Sequence, residues 1–257
     1  RRGNLITKAR LLRRIFNAPC NDISIICAPF SVGGPNLEAK DGPDALLKAG
    51  LKEDLIGIGF DVSVINPPKA LLAQARKAIR SQGSGIKNIT LIIKINEWLS
   101  SIVAEEIKKG RTPLTIGGDH SLAIGTISGT KDALNNFGVL WIDRHFDAHS
   151  PKNTPSWRAH GMPVAVAIAD KKFDPHPDFQ RLLRVGGRDG VTPSVQKENF
   201  VQIGIGEKSK IDPGAKWYSM EDIDTYGINK VTNEAIDYLT KRVKHIYIAW
   251  DIDALNV

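Results

Sequence analysis

Thiols are scarce in this chain of 257 residues: Cys20 and Cys27 are its only cysteines, and neither belongs to a CxxC pair. That excludes a disulfide framework and a structural zinc site built on thiolates, and it fits a reducing compartment. Long apolar runs are missing as well. Nothing reaches the roughly 18 residues that a membrane-crossing helix needs, so no membrane partner is expected. Positive charge is present without being concentrated. Lys and Arg outnumber Asp and Glu by 35 to 28, a formal +7, but the excess is spread along the chain and argues against nucleic acid as a partner. Internal repeats and low-complexity linkers are also lacking. The opening stretch "RRGNLITKARLLRRIF" has no acid before Asp22 and no initiating Met; it reads as a basic helix, with a targeting remnant or a fragment boundary as the other readings.

What is present is ordinary globular material, 42% hydrophobic and 25% charged, in a length that suits one α/β domain. Short β-branched runs alternate with longer stretches of helical spacing, the pattern of βαβ units and a parallel sheet. Strands are expected in "ISIICAP" from Ile23, within "LIGIGFDVSVI" from Leu55, and in "TPLTIGG", "GVLWID", "NFVQIGI" and "KHIYIAWDID". Each is apolar enough to be buried on both faces, as interior parallel strands are. "NITLIIKINEWLSSIVAEEIKKG" carries apolar residues three and four apart and stops at Gly110, so it reads as a helix with a glycine C-cap. "KKFDPHPDFQRLLRVGGRDGVTPSVQ", rich in Pro and Gly, is expected to form surface loops. The fold class that follows is a three-layer α/β/α domain around a mainly parallel central sheet.

Functional groups in such sheets collect beyond the carboxyl ends of the strands. Three stretches have that address: "TIGGDHS" with His120, "WIDRHFD" with Asp143, His145 and Asp147, and "IAWDID" with Asp251 and Asp253. In extended chain, positions i, i+2 and i+4 share a face, so the alternating ligands point one way, while Arg144 and Phe146 point the other. Four carboxylates and two imidazoles form a hard donor set suited to Mn2+. Crowded carboxylates repel one another unless cations separate them. Two divalent ions roughly 3.5–4 Å apart would relieve the repulsion and activate a shared water, which points to metal-assisted hydrolysis. Asp119 reads as a helix cap, and His176 and His245 as structural.

"GGDHSLAIGTISG", "WIDRHFDAHSPKNTPSWRAHGMPVA" and "WDID" together resemble the arginase branch of the ureohydrolase family, and "APFSVGGPNLEAKDGPDALLKAGL" and "WYSMEDIDTYGI" extend the likeness over nearly the whole chain. The resemblance implies two Mn2+ ions, one held by His120, Asp143, Asp147 and Asp251, the other by His145, Asp143, Asp251 and Asp253. It implies hydrolysis of a small guanidino substrate, L-arginine to L-ornithine and urea, as in arginine metabolism and the urea cycle. His160 matches the family's proton-shuttling histidine, and a group with a pKa near neutrality suits that task. Homotrimers or hexamers and a cytoplasmic, alternatively mitochondrial, location are further implications.

The substrate loop departs from the pattern. His149 stands where arginases have an asparagine that binds the substrate carboxylate, and Ser156 matches a second carboxylate contact. Trp157 and Arg158 replace a glycine and an asparagine. Arg158 offers a bidentate grip on a carboxylate by other means. Glu207 or Ser209 would face the substrate's amino group, depending on the alignment. The family's guanidinium-binding glutamate has no counterpart before Val257, so residues 1–257 are expected to be a single arginase-like domain without its C-terminal part. These departures keep two alternatives open: another ureohydrolase, either an agmatinase or a guanidino-acid hydrolase, and a noncatalytic regulatory subunit.

Overall fold

The computed structural model describes residues 22–78, 85–169, 172–206 and 213–255. The basic N-terminal stretch, Cys20, Glu207 and Ser209 lie outside them. Among these residues there are seven strands: β1 (Ile23–Ala28), β2 (Val62–Ile65), β3 (Thr112–Gly117), β4 (Phe137–Ile142), β5 (Phe200–Ile205), β6 (Lys216–Ser219) and β7 (His245–Trp250). Every pairing is parallel, and the hydrogen bonds divide the strands into two groups, ordered β2-β1-β3 and β6-β5-β4-β7. Parallel neighbours need crossovers, which helices supply. The helices are α1 (Gly42–Lys48), α2 (Leu51–Gly57), α3 (Lys69–Lys77), α4 (Ile89–Lys108), α5 (Ala123–Ala133), α6 (Pro163–Ile168), α7 (Pro177–Leu182), α8 (Met220–Tyr226) and α9 (Ile228–Thr240).

Strand alternation produces the three layers. On β1, Ile26 and Ala28 join a core formed with Ile92, Ile95 and Leu99 of α4, whereas Ile25 and Cys27 pack toward Leu47 of α1 and Leu55 of α2. In the second group, Val139 and Trp141 face Ile127 of α5 and Val164 of α6, and Leu140 faces Val231, Ala235 and Leu239 of α9. Helices α4 and α5 approach closely because Gly125 has no side chain: an added Cβ would lie 2.4 Å from the Asn96 carbonyl oxygen. The Gly125 amide instead donates to Asn96 Oδ1 at 2.7 Å. As the spacing predicts, α4 ends just before Gly110, which turns the chain at φ +80°.

One strand is added to the six expected, and two expectations are corrected. Strand β6 was not anticipated; only four residues long and half exposed, it lacks the apolar run that marks its neighbours. The Pro- and Gly-rich stretch is more than loop, since Pro177 starts α7 and Phe179, Leu182 and Val185 are fully buried. Among the described residues β7 is the last strand of its group and is not covered on both faces, its Ile248 and Trp250 being 60% and 66% exposed. Among the described residues no helix is long and apolar enough to cross a membrane.

Candidate metal centre

The carboxyl ends of β3, β4 and β7 converge although, among the described residues, β3 shares no hydrogen-bonded partner with the other two. After β3, Asp119 caps the turn that begins at His120, accepting from the Ser121 amide at 3.0 Å, as expected for a helix-capping aspartate. Its second oxygen accepts from the Gly33 amide at 2.8 Å, which ties the loop after β1 to the same turn. After β4, the Asp143 amide still bonds Ile203 of β5 (3.1 Å), but the chain then leaves the strand. The grouping of Asp143, His145 and Asp147 therefore does not come from extended alternation. Bends at Arg144 and His145 and a left-handed Asp147 at φ +48° bring them round. Backbone strain of this kind concentrates at functional sites. After β7, the Asp251 amide bonds the Ile142 carbonyl at 2.9 Å, and the Asp253 amide donates to Asp251 Oδ1 at 3.1 Å.

His120 Nδ1 lies 3.0 Å from Asp143 Oδ2, 3.2 Å from Asp147 Oδ2 and 3.2 Å from Asp251 Oδ2. It is buried and makes no well-aligned hydrogen bond to any of them. One N–H can serve only one acceptor, whereas a nitrogen and three carboxylate oxygens around a common point form a hard-cation coordination set. Beside this group, His145 Nδ1 is 3.1 Å from Asp253 Oδ2 and 3.6 Å from Asp143 Oδ1. Asp143 thus gives one oxygen to each of two potential ligand groups, His120–Asp143–Asp147 and Asp143–His145–Asp253. All six residues singled out in the sequence are brought together, and the donor chemistry fits two divalent cations.

With protons as the only counter-charge, the electrostatics are severe. Burial, reinforced by Asp143 and Asp251 against the opposing His120, raises Asp147 to about 7. Asp143 goes the other way: burial works to raise it, but contacts with His120 and His145 hold it well below the usual carboxylate range. Contact with Asp143, and the charges of Asp253, Asp143 and Asp147, lift His145 to about 9 against burial. His120 is pushed well above its ordinary value, since its three carboxylate neighbours outweigh burial. Cations that replace these protons would relieve the same repulsion.

Phe146 and Arg144 turn aside as expected. Phe146 is buried edge-on against Trp217, and the Arg144 stem runs beside Gly206 and Met220. His160 sits on the turn Ala159–Gly161, its backbone amide and its Nδ1 both directed at the Gly33 carbonyl, at 3.2 and 3.1 Å. A carbonyl only accepts, so Nδ1 carries the hydrogen and Nε2 is the basic nitrogen. Burial lowers the His160 pKa, with Arg158 and His145 acting in the same direction and Asp119 opposing.

The substrate-loop residues are held by separate anchors. His149 bonds through its amide to the Gly161 carbonyl (2.9 Å), and its buried Nδ1 has no hydrogen-bond partner among the described residues. Arg158 donates from its guanidinium to the Gly34 carbonyl at 2.9 Å, and the Ser156 hydroxyl accepts from the Arg158 amide at 3.3 Å. Between them Trp157 adopts a left-handed φ of +55°, and its carbonyl accepts from the Lys87 amide. Sequence reading missed two supports. Asp174 pins the loop by accepting from the Lys152 amide at 3.0 Å, and no local motif announced it. Trp141, two positions before Asp143, stacks on His120 with ring centroids 4.1 Å apart and planes 14° apart. Its indole Nε1–H also donates to Asp143 Oδ2 at 2.9 Å. Its place in the ligand motif was a signal that could have found it.

Comparisons with known proteins agree with this geometry. A family model described as "Arginase family" matches residues 21–257. Arginase from Bacillus caldovelox is 32% identical over 240 residues, covering 91% of this chain and 76% of the relative. Human Arginase-1 is 37% identical over 250 residues, covering 93% and 73%. Among solved structures, arginase from Bacillus subtilis strain 168 superposes with a TM-score of 0.76 at 31% identity, covering 91% of this chain and 76% of that one.

Proposed function

The chain belongs to the arginase family, and from that premise we propose that it hydrolyses a guanidino group with two Mn2+ ions bound, L-arginine to L-ornithine and urea being the favoured reaction. The observation that carries the proposal is His120 Nδ1 facing three carboxylate oxygens while Asp143 reaches into a second group. Asp143 and Asp251 would bridge; His120 and Asp147 would complete one coordination set, and His145 and Asp253 the other. Two dications bound there supply Lewis acidity and bring a water's pKa toward neutrality. The chain's own groups do the rest. The carboxylates give the cleft a negative field that draws in a cationic guanidinium. His160, kept neutral near pH 7 by its lowered pKa, takes at Nε2 a proton given up by the attacking water and passes it to the departing amine.

His149, Ser156 and Arg158 belong to the same reading as the groups that select what the guanidino group is attached to. Arg158 favours one second reading, a guanidino-acid hydrolase, because its planar guanidinium matches a carboxylate. The test is urea release from L-arginine, agmatine and a series of guanidino acids after equilibration with Mn2+. Release from arginine supports the main reading, and release from guanidino acids alone supports the second. A chain that holds two Mn2+ ions and releases no urea from any of them would be a noncatalytic member of the family. A single domain, a homotrimer or hexamer and a cytoplasmic or mitochondrial location complete the proposal, the assembly being measurable by analytical ultracentrifugation.

A further inference from the structure

Asp143 belongs to both ligand groups, His120–Asp143–Asp147 and Asp143–His145–Asp253, and each of its oxygens also accepts a hydrogen bond. Oδ1 accepts from the His145 amide at 2.8 Å. Oδ2 accepts from Trp141 Nε1–H at 2.9 Å, and the same indole lies flat against the His120 ring. Trp141 is fully buried on β4, whose backbone is paired with β5 and β7, and its ring packs on Phe200 at 5.9 Å, so the sheet fixes its backbone and the core supports its ring. A buried indole N–H needs an acceptor, and a carboxylate held by a charge-free donor keeps its negative charge for a cation.

We propose that Trp141 is a positioning residue for the His120 side of the centre. One rigid side chain sets the plane of a ligand after β3 and the rotation of a ligand after β4, two segments whose strands share no hydrogen-bonded ladder among the described residues. The inference rests on the two-ion reading above and deepens it, because it makes the two ion positions unequal. The group around His120 depends on the indole for two of its donors. The group around His145 depends on it for none directly, since Asp143 Oδ1 is held by a backbone amide. Partners that orient ligands in this way typically change metal affinity by about 10- to 100-fold when removed.

The test is Mn2+ titration of the wild-type chain and of Trp141→Phe, with free Mn2+ followed by electron paramagnetic resonance. Phenylalanine retains a ring to stack on His120 and loses the N–H. The expected result is two ions in both proteins, with one affinity weakened about 10- to 100-fold in the variant and the other within about threefold of wild type. Co2+ titration supplies a second signature: quenching of tryptophan fluorescence should fall sharply in Trp141→Phe and persist in Trp98→Phe. A purely structural role for Trp141 would lower the melting temperature without separating the two affinities, and equal affinities in wild type and variant overturn the inference alone. A wild-type chain that binds fewer than two Mn2+ ions overturns the two-ion reading and this inference with it. Should the phenylalanine variant fail to fold by circular dichroism, 3-benzothienylalanine at position 141, which keeps the ring system and removes only the N–H, carries the same alternatives.

Discussion

His120 Nδ1 and Asp251 Oδ2 stand 3.2 Å apart although one follows β3, the other follows β7, and among the described residues no backbone ladder joins those strands. Side chains at the centre therefore link two hydrogen-bonded groups of strands. A cation held there would act as a cross-link as well as a reactive group.

Mn2+ should accordingly stabilise the fold. At a free concentration of about 100 times Kd, binding to the native state alone adds about 2.7 kcal/mol per site. For a chain of this size that corresponds to a rise of about 5–10 °C in melting temperature for one site. Differential scanning calorimetry with Mn2+ and with excess chelator measures it, and coincident melting curves would remove the linking role.

Metal uptake should be strongly pH-dependent. Asp147 keeps its proton up to about 7, chiefly through burial, and His145 keeps its own up to about 9, chiefly through Asp143. Both must be released on coordination, so apparent Mn2+ affinity should climb between pH 6 and 9, by up to about tenfold per unit for each proton displaced. Both pKa values are raised on folding. His145 thus stabilises the chelated protein fully below its ordinary 6.5 and loses that contribution as pH rises through about 9, and Asp147 loses its own between its ordinary 3.8 and about 7. The melting temperature in chelator should fall toward alkaline pH while the increment due to Mn2+ widens. Calorimetric titrations across this range check it, and a flat affinity profile would contradict the assignment of these ligands.

His160→Asn should reduce kcat by about 10²- to 10⁴-fold and leave Mn2+ stoichiometry and melting temperature close to wild type. In the wild-type profile the acid limb of kcat/KM should have its inflection below 6.5, because burial lowers the His160 pKa and only the neutral ring accepts the proton. Steady-state urea assays give both quantities. Near-normal turnover in the variant would assign the proton to another group.

A separate prediction concerns the far end of β1. Glu106 is only 4% exposed and accepts from Ser24 Oγ at 2.5 Å and Lys109 Nζ at 2.9 Å, with the Arg111 guanidinium nearby. Burial works to raise its pKa, but Lys109, Ser24 and Arg111 bring it below the ordinary 4.5. Its contribution is present above 4.5 and fades as pH falls through the depressed value. Glu106→Gln should cost about 1–3 kcal/mol near pH 7, and the gap should narrow near pH 3. Urea unfolding at the two pH values decides, and an equal loss at both would mean that the charge is irrelevant.

The site was more legible in the sequence than the fold around it. His120, Asp143, His145, Asp147, Asp251 and Asp253 belong to short motifs directly after strongly apolar strands, so their address could be read locally. The reason given for their convergence was only partly right. Alternation ends with β4 at Ile142, and the left-handed turn at Asp147 depends on tertiary contacts such as the Val164 amide on its carbonyl. Strand β6 was hidden because a half-exposed strand of four residues has little periodicity to show. The burial of Phe179 and Leu182 was masked by the prolines and glycines around them. Asp174 and the Gly33 carbonyl act across long sequence separations, which composition and spacing do not encode.

The Gly33–Gly34 pair gives the site an unexpected economy. One carbonyl aligns His160 and the next aligns Arg158, while the Gly33 amide is locked to Asp119. No side chain fits here: a Cβ on Gly33 would lie 2.3 Å from Ser121 Oγ, and one on Gly34 2.9 Å from Asp119 Cβ. The proton handling proposed for His160 and the anion recognition proposed for Arg158 would thereby be geared to a single dipeptide, and any drift in its backbone would displace both together. On the proposed reading, new substrate preferences would be more accessible through the side chain at position 149, which bonds to neither glycine.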